Sequence, residues 1–533
     1  VGADWSPKRH KYDTRAAQGP YILTDSAITR VKALIDENEY RGALRRLAFY
    51  ADTAFINDFD LSLSDKDLRE FANAKAEEAG RWIERYQGEP EELTRTLSEL
   101  VGSYEITLPD FEDPSATAVQ ISDKSWWTAR LRQLRAQYQD TVARDVGLIS
   151  KKCDSYAGHN TVNLYRAQQE RNKAYLENTE LENSKGQRIS LAEIAEHNIS
   201  NPVIRNAEFM VRLKGFEQVG TLYGHKAQFI TLTTPSRFHR TLSSGAQNPK
   251  FDGSTVADGQ EWLKSQWALI RAKLHRKGIS PYGFRIVEPH HDGTPHWHML
   301  LFTAPQHVKP LDRVIRRYML SEFERGSDKH RVKTELIDPE KGSAVGYIAK
   351  YVSKNLDGKH LDTDLDGKPA IESAERITAW ARTWNIRQFQ QIGGPSVTVW
   401  RELRKLRSEV GQTAALADAR TAADSGDWAA FVIAMGGIDC PRKDQLLTPY
   451  REYKELVDVR TGEITLDDLT RHGAKKTAPL KGLRMVDLVI ITRSERWTPV
   501  PVGSCARNTV LEEPYEHGAL RHEVPSPLLD LCK

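Results

Sequence analysis

Four histidines, His290, His291, His296 and His298, crowd one short stretch, EPHHDGTPHWHMLLF, from Glu288 to Phe302. Side chains alternate across a strand, so His296 and His298 share one face and Trp297 takes the other. A turn centred on Asp292-Gly293 brings Glu288 close to His296. Two imidazoles and a carboxylate suit a divalent metal with positions left open for substrate, since a closed structural zinc site needs a fourth protein ligand. His290 or Asp292 takes the place of Glu288 if the hairpin register differs. The competing reading is a pair of half-buried polar histidines with no metal. His290 and His291, beside the turn, are expected to face solvent or substrate rather than to act as ligands.

A second set of reactive side chains follows in YIAKYVSK, residues 347–354. On a helix, positions i and i+4 share a face, which sets the phenols of Tyr347 and Tyr351 about 6 Å apart along the axis. Lys350 and Lys354 follow each tyrosine by three residues. A phenol with a pKa of about 10 is a weak nucleophile, and neighbouring ammonium groups favour the phenolate and neutralise a phosphate under attack. A metal supplies the missing Lewis acid. The alternative is a tyrosine pair packed on a core with its lysines snorkelling to water.

The elements between and around these motifs must position them. AQFITLTTP (227–235) is β-branched and apolar and reads as a buried strand ending at Pro235. From Asp258 to Lys277, Leu263, Trp267, Ile270 and Leu274 recur at helical spacing, and Gly278 stands where that helix ends. YGFRIVEP and HWHMLLFTA are strand-like runs joined through Asp-Gly, a strong hairpin signal. Pro310 opens a second amphipathic helix, HRVKTELID reads as a strand, and SAVGYIAKYVSKN (343–355) as a last helix. Strand, helix, strand, strand, helix, strand is the ferredoxin-like split βαβ order, an antiparallel sheet with helices on one face. The expectation is therefore an α+β chain in three parts: a mostly helical region over 1–225, a catalytic unit over 226–356, and a mixed region over 357–533.

Composition narrows the function. The chain has 533 residues, more than one core usually serves, and its 76 basic against 73 acidic residues give a net charge of only +3. Any polyanion footprint must be local. No apolar run is long enough to cross a membrane, no secretory signal is visible, and the expected location is the cytoplasm. The four cysteines, Cys153, Cys440, Cys505 and Cys532, lack paired zinc-ligand spacing. No GxxxxGK[ST] pattern for nucleotide phosphates occurs.

Taken together, FITLTTP, PHWHMLLF and YIAKYVSK resemble the three motifs of HUH endonucleases that initiate rolling-circle replication. The flanking EPHHDGTPHWH and RQFQQIGGPSVTVWRELRKLR (387–407) resemble the bacteriophage replication gene A protein family in particular, and a weaker similarity runs through residues 186–217. The resemblance implies a site-specific single-strand nick at a phage origin. His296 and His298 then match the histidines that hold Mg²⁺ or Mn²⁺, with Glu288 as the expected third ligand. Tyr347 and Tyr351 match the nucleophile pair that forms a 5′-phosphotyrosyl link and leaves a free 3′ hydroxyl. Lys350 and Lys354 are their electrostatic helpers. The implied partners are single-stranded origin DNA and, by analogy, a host helicase and the replication machinery of a bacterial cell.

Basic runs at 271–278, at Arg313, Arg316 and Arg317, at 401–407 and at 474–484 fit backbone contacts to DNA or, equally, solvated faces. Trp380, Trp384 and Phe389 can stack bases, although their spacing suits core packing better. Two other functions are weighed. A histidine-triad nucleotide hydrolase needs a third histidine where Leu300 stands, and a non-catalytic single-strand binder would use the Tyr and His rings for stacking alone.

Overall fold

The Asp-Gly turn is the point from which the fold is best followed, because residues from four distant parts of the chain converge on it. The computed structural model describes residues 55–108, 114–322, 328–348, 370–406 and 413–503, apart from positions 152, 243, 341, 459 and 487. It is a mixed α+β structure, about half helical, whose named strands form small antiparallel sheets. The helices used below are α1 (Asp65–Arg85), α2 (Lys124–Asp145), α3 (His159–Glu177), α4 (Pro202–Leu222), α5 (Val256–Arg276), α6 (Val308–Met319), α7 (Ala370–Thr383), α8 (Val397–Leu403), α9 (Ala414–Ser425) and α10 (Trp428–Ala434). The main sheet contains β1 (Lys226–Thr233), β2 (Tyr282–Pro289), β3 (Pro295–Thr303), β4 (Val332–Leu336) and β5 (Phe389–Ile392).

Its order is β4-β1-β3-β2-β5, with every neighbouring pair antiparallel. The first four strands and the two helices between them fall where periodicity places them. Thr255 and Asp258 form a reciprocal capping box at the start of α5, and Gly278 follows its end at φ +66°. The second helix starts at Val308 rather than at Pro310. β5 is a strand that the pattern reading misses. It covers the β2 edge, which would otherwise present unpaired backbone groups. Gly283 is required at that place: at φ +145° a Cβ would lie 2.0 Å from the Leu300 carbonyl oxygen.

Both faces of the sheet are covered, whereas the strand order alone suggests one. Ile230, Leu232, Trp297, Met299 and Leu301 pack on α5 and α6, with Trp380 of α7 and Trp384 just beyond its end in the same buried cluster. Phe229, Phe284, Leu300 and Phe302 on the opposite face pack on Phe209, Leu213 and Phe216 of α4 and on Trp400, Trp428 and Phe431 of the C-terminal helices. The apolar stripe of α4 supplies the second cover, each buried Leu or Phe contributing roughly 1.5–3 kcal/mol. A third cluster, around Leu68, Leu97, Trp127 and Leu131, joins α1 and α2 to their neighbours. Strand Thr179–Asn183 pairs with Trp497–Pro501. No described helix is long and apolar enough to cross a membrane.

The hairpin turn carries most of the convergence. Gly293 takes φ +79°, as the turn requires. Arg144, at the end of α2 and 2% exposed, donates from Nε to the Asp292 carbonyl (2.9 Å) and from Nη2 to Thr294 Oγ1 (3.2 Å) and the Phe238 carbonyl (3.4 Å). Trp380 Nε1 donates to the Gly293 carbonyl (2.9 Å), and Tyr156 N to the His291 carbonyl (3.4 Å). Removing a buried cation from such a set strands its acceptors. Arg144→Met is therefore expected to lose about 3–5 kcal/mol of stability, measured by urea denaturation; a loss under about 1 kcal/mol would show that the turn is held by its other contacts.

Candidate metal centre beside a tyrosine

The site is built where one face of the sheet changes from apolar to polar. Along that face, cross-strand rows run Phe229–Leu300–Phe284, then Thr231–His298–Ile286, then Thr233–His296–Glu288. The first row belongs to the core. The last two, nearer the turn, expose ring nitrogens and a carboxylate to one another. Glu288 lies directly opposite His296, the register that a symmetric Asp-Gly turn dictates.

Glu288, His296 and His298 are all buried, and one ligand-type atom from each lies within 4.8 Å of the others. The two Nε2 atoms are 2.8 Å apart, and His298 Nε2 is 3.9 Å from Glu288 Oε2. Between neutral rings the short contact is a single N–H···N bond. Around a cation with ~2.1 Å bonds, adjacent ligands of an octahedron are about 3 Å apart, so the pair also fits one ion. His298 Nδ1 meets the Thr231 hydroxyl at 3.1 Å. With Nδ1–H donating to that oxygen, Nε2 keeps the lone pair that a metal needs. This donor set can bind a metal ion. Leu300, where a histidine triad would continue, is fully buried in the core.

His290, expected to face solvent or substrate, is half-buried. Its ring stacks on His296 at 4.0 Å and meets the edge of His239 at 5.0 Å, and its Nε2 is buried with no hydrogen-bond partner among the described residues. Burial, with the neighbouring His239, pushes the His290 imidazole down to about 3, against the pull of Asp292. The ring is therefore neutral at neutral pH. Asp292 is no substitute ligand. Its carboxylate accepts from Arg240 N (3.0 Å) and Thr294 N (3.1 Å) and lies 3.4 Å from His239 Nδ1. Burial alone would raise this carboxyl, but the charge and hydrogen bond of His239 and the charge of Arg144 outweigh it and hold it well below the usual carboxylate range.

Tyr347 stands in the helical segment 344–348, where Ala344 and Ile348 are buried in the core and the phenol is 40% exposed. Its ring centroid is 6.3 Å from that of Phe229, which stacks on His298 at 5.6 Å, so one phenylalanine separates the phenol from His298. Lys333 of β4, opposite Thr231, is raised by its hydrogen bond to Glu335 and by the field of Tyr347. Tyr351, Lys350 and Lys354 lie outside the described residues. Thr231, Lys333 and His239 are the neighbours that motif reading misses. Thr231 could have been found from the strand parity of FITLTTP.

A family model described as bacteriophage replication gene A protein (GPA) matches residues 84–359, just over half of the chain, including FITLTTP, PHWHMLLF and YIAKYVSK. The chain belongs to that family. Within the gene A protein family it is 41% identical over 406 residues to the replication gene A protein of Escherichia phage 186, covering 73% of this chain and 57% of that one. It is 37% identical over 417 residues to the corresponding protein of Escherichia phage P2, covering 73% and 52%. A probable replication endonuclease from a prophage-like region of Salmonella typhimurium is 35% identical over 356 residues, covering 63% and 43%. The chain thus spans about half the length of these gene A relatives. No solved structure matches it.

The Asp292 network carries a pH signature. A carboxyl with a folded value below its unfolded value of about 3.9 adds stability that is fully present above that value and lost as pH falls through the folded one. The stability gap between wild type and Asp292→Asn, from urea denaturation, is expected to be wide near pH 6 and to narrow steadily below about pH 4. A gap constant down to about pH 3 would contradict the ionised assignment.

Proposed function

We propose that this chain is a site-specific single-strand DNA endonuclease and strand transferase that initiates phage rolling-circle replication. The observation that carries the reading is the buried Glu288–His296–His298 group with Tyr347 one ring away across Phe229. The family match and a relative named as a probable replication endonuclease support the same reaction class. The strand order, with β1 to β4 arranged 4-1-3-2 and all antiparallel, supports a ferredoxin-like nuclease unit over 226–356, flanked by the regions 1–225 and 357–533.

In this reading Glu288, His296 and His298 hold Mg²⁺ or Mn²⁺, which supplies Lewis-acid polarisation of the scissile phosphate when bound. The phenol oxygen of Tyr347 or Tyr351 attacks phosphorus and its proton leaves. The bond from phosphorus to the 3′ oxygen breaks, and that oxygen takes up a proton to become a free hydroxyl. The new bond joins the tyrosine to the 5′ phosphate. One phosphodiester replaces another, so attack by a 3′ hydroxyl reverses the step without nucleotide hydrolysis. Lys350 and Lys354 stabilise the phenolate and the charge on phosphate, and Lys333 adds an ammonium on the strand side. A second tyrosine lets the exchange repeat after a replication round and release a circular strand. The partners in this reading are origin DNA, a host helicase and the replication machinery in the bacterial cytoplasm.

Two measurements test the reading. Incubated with single-stranded origin DNA and Mn²⁺, the wild-type chain is expected to form a covalent adduct that maps to a tyrosine peptide. Tyr347→Phe with Tyr351→Phe should abolish the adduct and leave binding intact; an adduct surviving in the double variant removes both tyrosines from the nucleophile role. His298→Ala should lower Mn²⁺ affinity in calorimetry at least tenfold and slow cleavage in parallel. Cleavage that proceeds undiminished in excess EDTA would overturn the metal assignment.

A further inference from the structure

Away from the metal centre, a groove of about 1580 Å³ opens between α1, α2 and α3, with the end of α7 as part of its wall. Eight basic and three acidic side chains line it, so its walls carry a positive excess that the near-neutral chain conceals. The excess is not neutralised locally. Asp65 is shared by Arg132 (2.7 Å and 2.8 Å), Arg69 (3.4 Å) and Arg135 (3.5 Å), one carboxylate against three guanidiniums. Arg171 donates to Gln168 Oε1 (2.7 Å), and it, Arg205 and Arg382 have no carboxylate within salt-bridge distance among the described residues. Burial and the like charge of Arg382 push the Arg205 guanidinium below its ordinary value. Arg205 and Arg382 lie within each other's field, and Arg171 lines the same groove beside the overcommitted Asp65, so the three offer guanidiniums to an external anion.

Within the basic runs conspicuous in the sequence, four side chains are instead ion-paired: Arg401 with Glu208 (2.8 and 2.9 Å), Lys405 with Glu402 (2.8 Å), Arg316 with Asp312 (2.9 Å) and Lys476 with Asp467 (2.5 Å). The groove also shares its framework with the hairpin: α2 carries Arg132 in the groove and Arg144 at the turn, about 18 Å further along the helix axis. α7 carries Arg382 in the groove and Trp380 at the same turn.

We propose that this groove is a second binding surface for single-stranded DNA, gripping the phosphodiester backbone through Arg171, Arg205 and Arg382. The inference rests on the endonuclease reading for the identity of the polyanion. Amide and guanidinium side chains dominate the walls, and Tyr165 is the one aromatic residue there among the described residues, so the grip follows the backbone and not the base sequence.

The test uses the full chain carrying Tyr347→Phe and Tyr351→Phe in EDTA, so that binding is read without chemistry. Anisotropy of a labelled mixed-sequence single strand is followed against salt. Arg171→Gln with Arg205→Gln and Arg382→Gln should weaken binding at least tenfold and flatten the slope of log K against log salt by about 2, near 0.7 per lost contact. The corresponding triple lysine variant, which keeps the charge, should retain most of the slope, and this separates lost contacts from lost folding. An unchanged affinity and slope in a folded glutamine variant overturns the proposal. A lysine variant as weak as the glutamine one overturns it as well. In the chain with both tyrosines intact, adduct formation on a short oligonucleotide confined to the nick site should be unaffected by the glutamine changes. If no chain ever forms an adduct, the endonuclease reading fails while the binding result stands or falls separately.

Discussion

The buried carboxylate of Asp292 and the cations around it are the constraint from which the site follows. Its oxygens fix the backbone at Arg240 and Thr294, and Arg144 and Trp380 hold the carbonyls on either side of the turn. A hairpin slipped by one residue would turn His296 and His298 into the opposite core and lose the row that sets Glu288 against His296. Register is usually secured by alternation of apolar and polar side chains. Here every residue of β2 and β3 is buried, so alternation is weak and the turn has to carry the specification.

The second organising fact is a border across one sheet face. On one side Phe229, Leu300 and Phe284 meet α4 and the C-terminal helices; on the other, Thr231, His298, Thr233, His296 and Glu288 face one another, with Ile286 the last apolar neighbour. The apolar side excludes water and fixes the strands, and the polar side inherits that rigidity. Phe229 belongs to both, packing in the core, stacking on His298 and touching Tyr347. Two histidines and a carboxylate on strands beside a phenol on a helical segment make an arrangement whose geometry is fixed by the sheet.

How much of this was legible follows from how local each signal is. Strand parity and the Asp-Gly turn are local, and they place Glu288, His296 and His298 together from the sequence. The i,i+3 and i,i+4 spacing of α5 and α6 is local too. β5 reads Phe-Gln-Gln-Ile, with no alternation to announce a strand, and its place is set by the β2 edge it covers. His290 looks solvated because it follows the strand, but the loop bringing His239 over it starts fifty residues earlier. The groove draws on residues scattered from Asp65 to Asn385, so no run in the sequence announces it, while some of the conspicuous basic side chains, such as Arg401 and Lys405, are paired with acids. Single-face cover was inferred from the crossover helices alone, and the stripe Phe209, Leu213, Phe216 on α4 was the overlooked clue.

The small sheet joining Thr179–Asn183 to Trp497–Pro501 has a consequence for synthesis on the ribosome. Asn183 also donates to Glu495, 312 residues away, and Lys185 pairs with the same carboxylate. During translation the early strand emerges long before its partner and waits with one edge bare, paired only with Arg188–Ser190 on the other side. Closure of such a distant contact is slow compared with the collapse of α1 and α2, which are near in sequence. The nascent chain therefore completes its N-terminal helices and the central sheet first and locks that outer seam last, leaving an interval in which a sticky edge is open to neighbouring chains.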